Sequence, residues 1–195
     1  MKSLRDRIQF AYEGGLVTRF HTRSGIKPST DAAHSHGVAM LCFFLWEGSG
    51  NSDYKLAQLL MAALTHDLAE QSVGDVPAPT KWAVPGMAAQ LEEMENTTLA
   101  RYGLDFGLNE SEQRILKLAD SLEGLLYCAS EASTGNRKSW IMGNRWVEFL
   151  LKITQGDHPY NPHQLQIINA VIEVWEDARD GEEPADFTQF ETVGR

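Results

Sequence analysis

An imidazole and a carboxylate stand side by side in the segment Leu64-Thr65-His66-Asp67-Leu68-Ala69-Glu70. Apolar residues recur at helical spacing before this pair, which predicts a core helix over about residues 54–71. Asp67 falls on the apolar face of that helix, where a carboxylate is costly unless a cation or hydrogen bonds compensate it. His66 and Asp67 could therefore converge on one metal ion, and Glu70 flanks the same position one turn later.

Two further candidates lie in other predicted helices. His34 is in the first turn of one helix, and Asp120 is embedded among the apolar residues of another. Together with His66 and Asp67 they form a mixed set of nitrogen and oxygen donors, which suits Zn²⁺, Mn²⁺, Co²⁺ or Fe²⁺ better than Ca²⁺. A divalent ion held by such a set can lower the pKa of a bound water, to about 7 in the best zinc cases.

A cation stands beside an aromatic residue at two other places, Arg19-Phe20 and Lys81-Trp82. Arginine presents a planar fork that suits phosphate oxygens, whereas lysine acts as a point charge. A neighbouring aromatic ring could stack on a nucleotide base or brace the loop that carries the cation. The two pairs therefore indicate a binding site for a phosphorylated ligand.

Each of these residues also has an ordinary structural interpretation. His34 could simply end a helix, Asp120 could be a core carboxylate with satisfied hydrogen bonds, and Glu70 could be a solvated helix residue. Arg19 and Lys81 could be surface cations. The hypothesis of a site depends on the occurrence of all these residues together, and the spacing alone leaves the alternatives open.

Composition restricts the class of protein. The chain has 195 residues and a formal net charge of −10, which argues against a general nucleic-acid-binding protein but leaves room for a nucleotide ligand. Cys42 and Cys128 lie in separate apolar patterns and are predicted to be core residues. No apolar run approaches membrane-spanning length, so we expect a soluble, cytoplasmic protein without a membrane partner.

The apolar periodicity predicts an all-α fold, a single helical bundle of about seven helices over residues 1–180. An acidic, loosely held tail is expected over residues 181–195. Asn109 with Glu112 and Asn161 with Pro162 are typical of helix starts. The prolines of residues 74–82 predict a stiff loop after Glu70.

The order His34, His66-Asp67, Asp120 resembles the HD-domain phosphohydrolase superfamily, whose metal ligands follow the pattern H…HD…D. Further stretches are similar to one branch of it, the bacterial 5′-deoxyribonucleotidases and phage dATP triphosphohydrolases, over about residues 15–125. These stretches are Arg19-Phe20, His34-Ser35 with Val38-Ala39, His66-Asp67-x-x-Glu70, Gly74-Asp75-Val76-Pro77-x-Pro79-x-Lys81 and Lys117-x-Ala119-Asp120. The Gly-Asp-x-Pro-x-Pro-x-Lys stretch is the most specific of them.

This resemblance implies an all-α fold with one divalent metal ion on His34, His66, Asp67 and Asp120, with Zn, Co or Mn favoured and Mg possible. It implies that Arg19 orients the phosphate, that Asp67 belongs to the catalytic centre, and that Glu70 assists the water or the leaving-group proton. The implied substrate contacts are Arg19, Phe20, Asp75, Pro77, Ala78, Pro79 and Lys81. Many members have Trp where this chain has Phe20, which keeps a stacking face.

The expected reaction releases a 2′-deoxynucleoside from a small-molecule deoxynucleotide by cleavage at its 5′ oxygen. We favour a dATP or dNTP triphosphohydrolase, and the alternative is a 5′-deoxynucleotidase that acts on dNMPs. Two other possibilities are an HD hydrolase of a different phosphoester and a non-catalytic nucleotide-binding module. Relatives of this kind are generally homo-oligomers, and a phage-encoded member would work in the host cytoplasm.

Overall fold

A computed structural model describes residues 2–21, 26–47, 52–156 and 160–181 of the protein. Within these residues the regular elements are helices apart from one pair of two-residue strands, which confirms the all-α prediction. Seven of the helices have 11 or more residues. The elements are α1 Leu4–Gly14, β1 Thr18–Arg19, β2 Ser29–Thr30, α2 Asp31–Trp46, α3 Asp53–Thr65, α4 Glu70–Val73, α5 Ala78–Ala83, α6 Met87–Tyr102, α7 Glu110–Ser133, α8 Ser139–Thr154 and α9 Pro162–Asp180.

Side-chain caps start the two helices for which the sequence predicted them. The Asn109 side chain accepts from the Glu112 N–H at 3.0 Å, and the Glu112 carboxylate accepts from the Asn109 N–H at 2.9 Å. Asn161 and Gln164 form the same reciprocal arrangement at the start of α9. Each pair satisfies two backbone donors that a helix N-terminus leaves unpaired.

The helix that carries the His-Asp pair ends earlier than predicted. It stops at Thr65, whose hydroxyl donates to the carbonyl of Met61 at 2.8 Å. The following hydrogen bonds join residues three apart, from Leu68 N–H to the Thr65 carbonyl and from Glu70 N–H to the carbonyl of Asp67. The chain therefore tightens into a turn, and His66 and Asp67 lie in that turn and not on a regular helix.

The predicted stiff loop after α4 contains a short helix, α5. Pro79 lies in its first turn, where a helix leaves its N–H groups unpaired and proline is tolerated. The two prolines therefore begin a helix here, and the prediction of a loop throughout residues 74–82 was wrong.

The two short strands tie the segment of Arg19 to the start of α2. Thr18 pairs with Thr30 and Arg19 with Ser29 in antiparallel register. The Asp31 N–H also donates to the carbonyl of Val17 at 3.0 Å. Strands of two residues are too short to show an alternating pattern, so they could not be predicted from periodicity.

The chain divides into two compact units, residues Met1–Glu123 and Gly124–Arg195. The first has a core of apolar side chains from α2, α3 and α7, which includes Val38, Leu45, Leu59, Ala63, Leu118 and Leu122. In the second, Trp175 of α9 packs against Gly143 of α8, where an added Cβ would lie 2.4 Å from the indole ring. Cys42 and Cys128 are both buried in the core, as predicted.

The single domain over residues 1–180 stays a prediction, and residues 182–195 of the predicted tail lie outside the described residues. Among the described residues, none of the helices combines the length and hydropathy that a membrane span requires.

Candidate metal centre and active site

The structure brings together four side chains that the sequence had singled out. His34 comes from α2, His66 and Asp67 from the turn after α3, and Asp120 from α7. His34 Nε2 lies 3.3 Å from His66 Nε2, 3.4 Å from Asp67 Oδ2 and 3.4 Å from Asp120 Oδ1. His66 Nε2 lies 3.3 Å from Asp67 Oδ1. We call these four residues the His-Asp cluster.

The spacing of the donor atoms fits a transition-metal ion. Zinc ligands bond at about 2.0–2.2 Å, so two ligands at a tetrahedral angle lie about 3.3–3.6 Å apart. One donor atom each from His34, His66 and Asp67 can be chosen so that all lie within 4.8 Å of one another. The distances between these donor atoms therefore match the edges of a metal coordination shell.

The hydrogen bonds on the far side of each imidazole decide which nitrogen faces the cluster as an acceptor. His66 Nδ1 donates to the carbonyl of Ala63 at 2.8 Å, and His34 Nδ1 donates to Glu123 Oε2 at 2.5 Å. With Nδ1 protonated, each Nε2 turns a lone pair toward the carboxylates of the cluster. Four acceptors then converge, and a metal ion or an additional proton between them can compensate their like polarity.

The pKa values of the cluster reflect this demand for positive charge. Burial alone lowers the pKa of His34, but hydrogen bonds to Asp120 and Glu123 overcome it and raise that pKa to about 9. Burial alone raises the pKa of Asp120, yet the hydrogen bond from His34 holds it well below its usual range. The pKa of Asp67 is also lowered, because the charges of His66 and Arg19 outweigh its burial.

A second group of charges meets the cluster at Asp67. Arg19 Nη1 forms a short ion pair with Asp67 Oδ2, and it lies 3.8 Å from Asp31 Oδ1. Burial alone lowers the pKa of Arg19, but the neighbouring carboxylates raise it above its ordinary value. Among the described residues, Arg19 Nε and both Asp31 oxygens have no hydrogen-bond partner. This group therefore combines one guanidinium with carboxylates and has polar atoms without a partner among the described residues.

Glu70 completes that second group. One oxygen each from Asp31, Asp67 and Glu70 lies within 4.8 Å of the others, and Glu70 is only 5% exposed. Burial, together with the charges of Asp67 and Asp75, raises the pKa of Glu70 to about 9. Burial and Asp67 likewise raise the pKa of Asp31 to about 7. We call Arg19, Asp31, Asp67 and Glu70 the Arg-acid group, which shares Asp67 with the His-Asp cluster.

Two of the predicted substrate contacts, Phe20 and Asp75, lie next to these charges. Phe20 has a φ of 59°, a left-handed conformation that is rare for a bulky residue. Its N–H donates to Asp75 Oδ2 at 3.3 Å, and the Arg19 guanidinium lies 5.9 Å from the centre of its ring. Pro77 precedes α5, which contains Ala78, Pro79 and Lys81. Asp75 therefore joins the predicted substrate segment to the residue after Arg19.

Two residues of the site were missed by the sequence analysis. Asp31 was not among the candidate site residues; it follows Thr30, the N-cap of α2, and is 1% exposed beside Arg19. Glu123 was not considered, although it lies one helical turn after Asp120 on α7 and binds His34. The i, i+3 spacing of Asp120 and Glu123 was the available signal.

Sequence comparisons connect the chain with two kinds of enzyme. A family model described as 5′-deoxynucleotidase YfbR-like matches residues 13–104. A dATP triphosphohydrolase of Salmonella phage PMBT28 is 28% identical, and the alignment covers 97% of this chain and 93% of the phage protein. A 5′-deoxynucleotidase of Vibrio parahaemolyticus is 24% identical over 63% of this chain and 73% of its own length.

Solved structures share the fold. The HD phosphohydrolase DatZ of cyanophage S-2L, solved with dA and one catalytic Zn²⁺, has a TM-score of 0.64 and 18% identity, over 92% of this chain and 98% of DatZ. An HD-domain phosphohydrolase from Listeria innocua has a TM-score of 0.69 and 19% identity, over 92% of each chain. Together with the sequence relatives, these matches support the resemblance to the HD-domain phosphohydrolase superfamily.

Proposed function

We propose that this protein hydrolyses the bond between the 5′ oxygen and the α-phosphorus of a 2′-deoxynucleotide, with a deoxynucleoside triphosphate such as dATP as substrate. Water adds to phosphorus, the bond to the 5′ oxygen breaks, and that oxygen takes up a proton. The products are the deoxynucleoside and triphosphate. The observation that carries the proposal is that a convergent set of metal donors and a partly buried arginine meet at Asp67.

His34, His66, Asp67 and Asp120 would hold the divalent ion, and their donor spacing and convergent lone pairs support this assignment. Nitrogen and carboxylate donors favour Zn²⁺, Co²⁺ or Mn²⁺, with Mg²⁺ as a further possibility. When bound, such an ion supplies a Lewis acid for a phosphate oxygen and lowers the pKa of a coordinated water.

Arg19 binds and orients the phosphate. Its side chain is 16% exposed, and its Nε donor has no partner among the described residues, so a phosphate oxygen can accept from it. The charge develops on phosphate oxygens as the bond breaks, and a fixed guanidinium stabilises that charge without reorganisation. Lys81, on α5, adds a second positive charge on the substrate side.

Glu70 positions the attacking water or relays a proton to the 5′ oxygen. It is buried within reach of the carboxylates of Asp31 and Asp67, and its Oε2 has no hydrogen-bond partner among the described residues. A water or a leaving-group oxygen would supply that partner. This role needs Glu70 for turnover but not for holding the metal ion.

The nucleoside part would contact the segment from Asp75 to Lys81 and the ring of Phe20, including Pro77, Ala78 and Pro79. The constrained backbone of Phe20 supports this assignment, because a residue in a rare conformation is retained where its surroundings require it. An aromatic face next to Arg19 would let a base stack while the phosphate reaches the guanidinium.

The number of phosphates separates the two candidate activities. The alignment with the phage dATP triphosphohydrolase covers 97% of this chain, which favours the triphosphate reaction. The match to the 5′-deoxynucleotidase YfbR-like family model favours the alternative, hydrolysis of dNMPs. We also propose a location in the cytoplasm, of the host if the gene is carried by a phage, and a homo-oligomer.

The test is turnover of dATP, dAMP, other dNTPs and dNMPs, and the matching ribonucleotides, with Co²⁺, Mn²⁺, Zn²⁺ or Mg²⁺. Chromatography of the products should show deoxyadenosine and intact triphosphate from dATP. Activity on monophosphates alone would establish the 5′-deoxynucleotidase alternative. Saturable nucleotide binding without turnover, with every metal, would replace both by a non-catalytic binding module.

A further inference from the structure

The two histidines of the His-Asp cluster are oriented by different means. His66 Nδ1 donates to a backbone carbonyl, that of Ala63, within its own helical segment. His34 Nδ1 donates to the Glu123 carboxylate, 89 residues away along the chain. The orientation of His66 is therefore set by the backbone, whereas that of His34 depends on one side chain.

From this contrast we propose that Glu123 is a positioning residue for the metal centre. Its carboxylate holds the Nδ1 proton of His34 and so directs the Nε2 lone pair toward Asp67, Asp120 and His66. This inference rests on the proposed metal-binding role of His34. It assigns a function to a residue outside the four predicted ligands.

Helix geometry makes Glu123 suited to this role. Asp120 and Glu123 are three residues apart on α7, so they lie on the same face of that helix. Asp120 lies 3.4 Å from His34 Nε2, while Glu123 lies 2.5 Å from Nδ1. One helix thus contacts both nitrogens of a ring that is 1% exposed, and the ring cannot rotate without losing both contacts.

Gly37 provides the space that Glu123 occupies. It lies one turn after His34 on α2, and a Cβ at this position would stand 2.9 Å from Glu123 Cγ. Any larger residue would require the carboxylate chain to shift away from its position beside His34. A glycine at position 37 therefore allows Glu123 to reach the His34 ring.

The test measures metal affinity in the full-length protein, by competition between the protein and a chromophoric chelator for Zn²⁺ and for Co²⁺. We expect Glu123→Ala to weaken binding by about 10- to 100-fold, as loss of an outer partner of a histidine ligand does. Glu123→Gln keeps an oxygen that accepts from Nδ1 and should restore affinity to within about 3-fold of the unmodified protein. The visible spectrum of the Co²⁺ form should change in Glu123→Ala and be recovered in Glu123→Gln.

Glu110→Ala is the matched control, because it removes a carboxylate from the same helix at a side chain that is 77% exposed. It should leave metal affinity unchanged. Gly37→Ala provides a second variant that keeps Glu123 but displaces it, and it should weaken binding in the same direction. This variant decides the question if Glu123→Ala does not fold.

Equal metal affinities in Glu123→Ala and the unmodified protein would overturn the proposal, as would a Glu123→Gln protein as weak as Glu123→Ala. An unchanged Gly37→Ala protein would overturn it as well. His34→Ala separates this failure from failure of the proposed function. If His34→Ala loses the metal while Glu123→Ala keeps it, only the positioning role is wrong; if both keep it, His34 is not a ligand.

Discussion

Asp67 has two different neighbourhoods, and their difference separates two kinds of chemistry. On one side, the His-Asp cluster presents acceptors that converge and need a cation. On the other, the Arg-acid group already has a cation, Arg19, together with Glu70 and Asp31, which hold protons more tightly than usual. The first neighbourhood is suited to holding a metal ion, and the second to binding phosphate and moving a proton.

Removal of Asp67 should have the largest effect, because this residue belongs to both neighbourhoods. We expect Asp67→Ala to lose its metal ion and to lower kcat/KM by more than about 100-fold, the upper range for loss of a mere outer partner. Metal content by elemental analysis and turnover of dATP and dAMP measure the two effects. If Asp67→Ala retains full metal content and turnover, Asp67 is needed neither for holding the metal ion nor for catalysis.

Glu70→Gln should separate the two neighbourhoods. It keeps the shape of the side chain but removes its ability to exchange a proton, so kcat should fall by about 10²–10⁴-fold. Metal affinity and nucleotide binding should stay close to those of the unmodified protein. Chelator competition and equilibrium nucleotide binding provide the check, and loss of the metal in this variant would make Glu70 a ligand of the ion.

Arg19→Ala should affect substrate binding more than metal binding. A hydrogen bond to a charged group contributes about 1.5–3 kcal/mol, so KM should rise roughly 10- to 150-fold. Arg19→Lys keeps the charge without the planar fork and should recover part of this loss. Steady-state kinetics on both variants tests this, and a KM that stays unchanged in Arg19→Ala would place the phosphate elsewhere.

The metal-free protein should lose stability as the pH rises from about 5 to about 9. The folded pKa of His34 is raised from 6.5 to about 9, so its contribution is full below pH 6.5 and is lost as the pH passes 9. The folded pKa of Asp31 is raised to about 7 and that of Glu70 to about 9. Both groups therefore also lower the stability as the pH rises, because the folded state holds their protons to a higher pH than the unfolded state does. The raised pKa of His34 alone accounts for on the order of 3 kcal/mol of the free energy of unfolding.

Denaturant unfolding in the presence of a chelator, repeated across this pH range, measures that loss. The lowered pKa values of Asp67 and Asp120 give stability that is lost only on acidification, below their ordinary value of 3.8. Saturating Zn²⁺ should remove the alkaline loss, because the ion replaces the proton of His34. A metal-free protein that becomes more stable between pH 5 and pH 9 would contradict the charge balance of the cluster.

The sequence identified the parts of the site that local spacing encodes. Helical periodicity placed Asp67 and Asp120 among apolar residues, and the pattern H…HD…D linked them to His34 and His66. Caps at Asn109 and Asn161 also follow from local chemistry and were confirmed. The caps and the periodicity need only residues within one or two helical turns of each other, whereas the pattern H…HD…D was recognised from the family resemblance.

The features that the sequence did not reveal depend on contacts between distant segments or on competition between nearly equal local structures. Glu123 is important only because α7 lies beside α2, and Asp31 only because β1 brings Arg19 next to it. At Thr65 the backbone hydrogen bonds change from the i, i+4 to the i, i+3 pattern, and these two patterns differ little in energy. Such differences are settled by the packed structure.

Whether the His-Asp cluster is a metal centre is tested most directly by titration of the metal-free protein with Zn²⁺ and Co²⁺ at neutral pH. Released protons are detected at the same time. We predict saturation at one ion per chain with release of about one proton, which His34 gives up on binding. Asp67→Ala should abolish the saturable phase, whereas Glu70→Gln should keep it. The absence of saturable binding in the unmodified protein, or a titration unaffected by Asp67→Ala, would contradict the assignment of the His-Asp cluster as the metal centre.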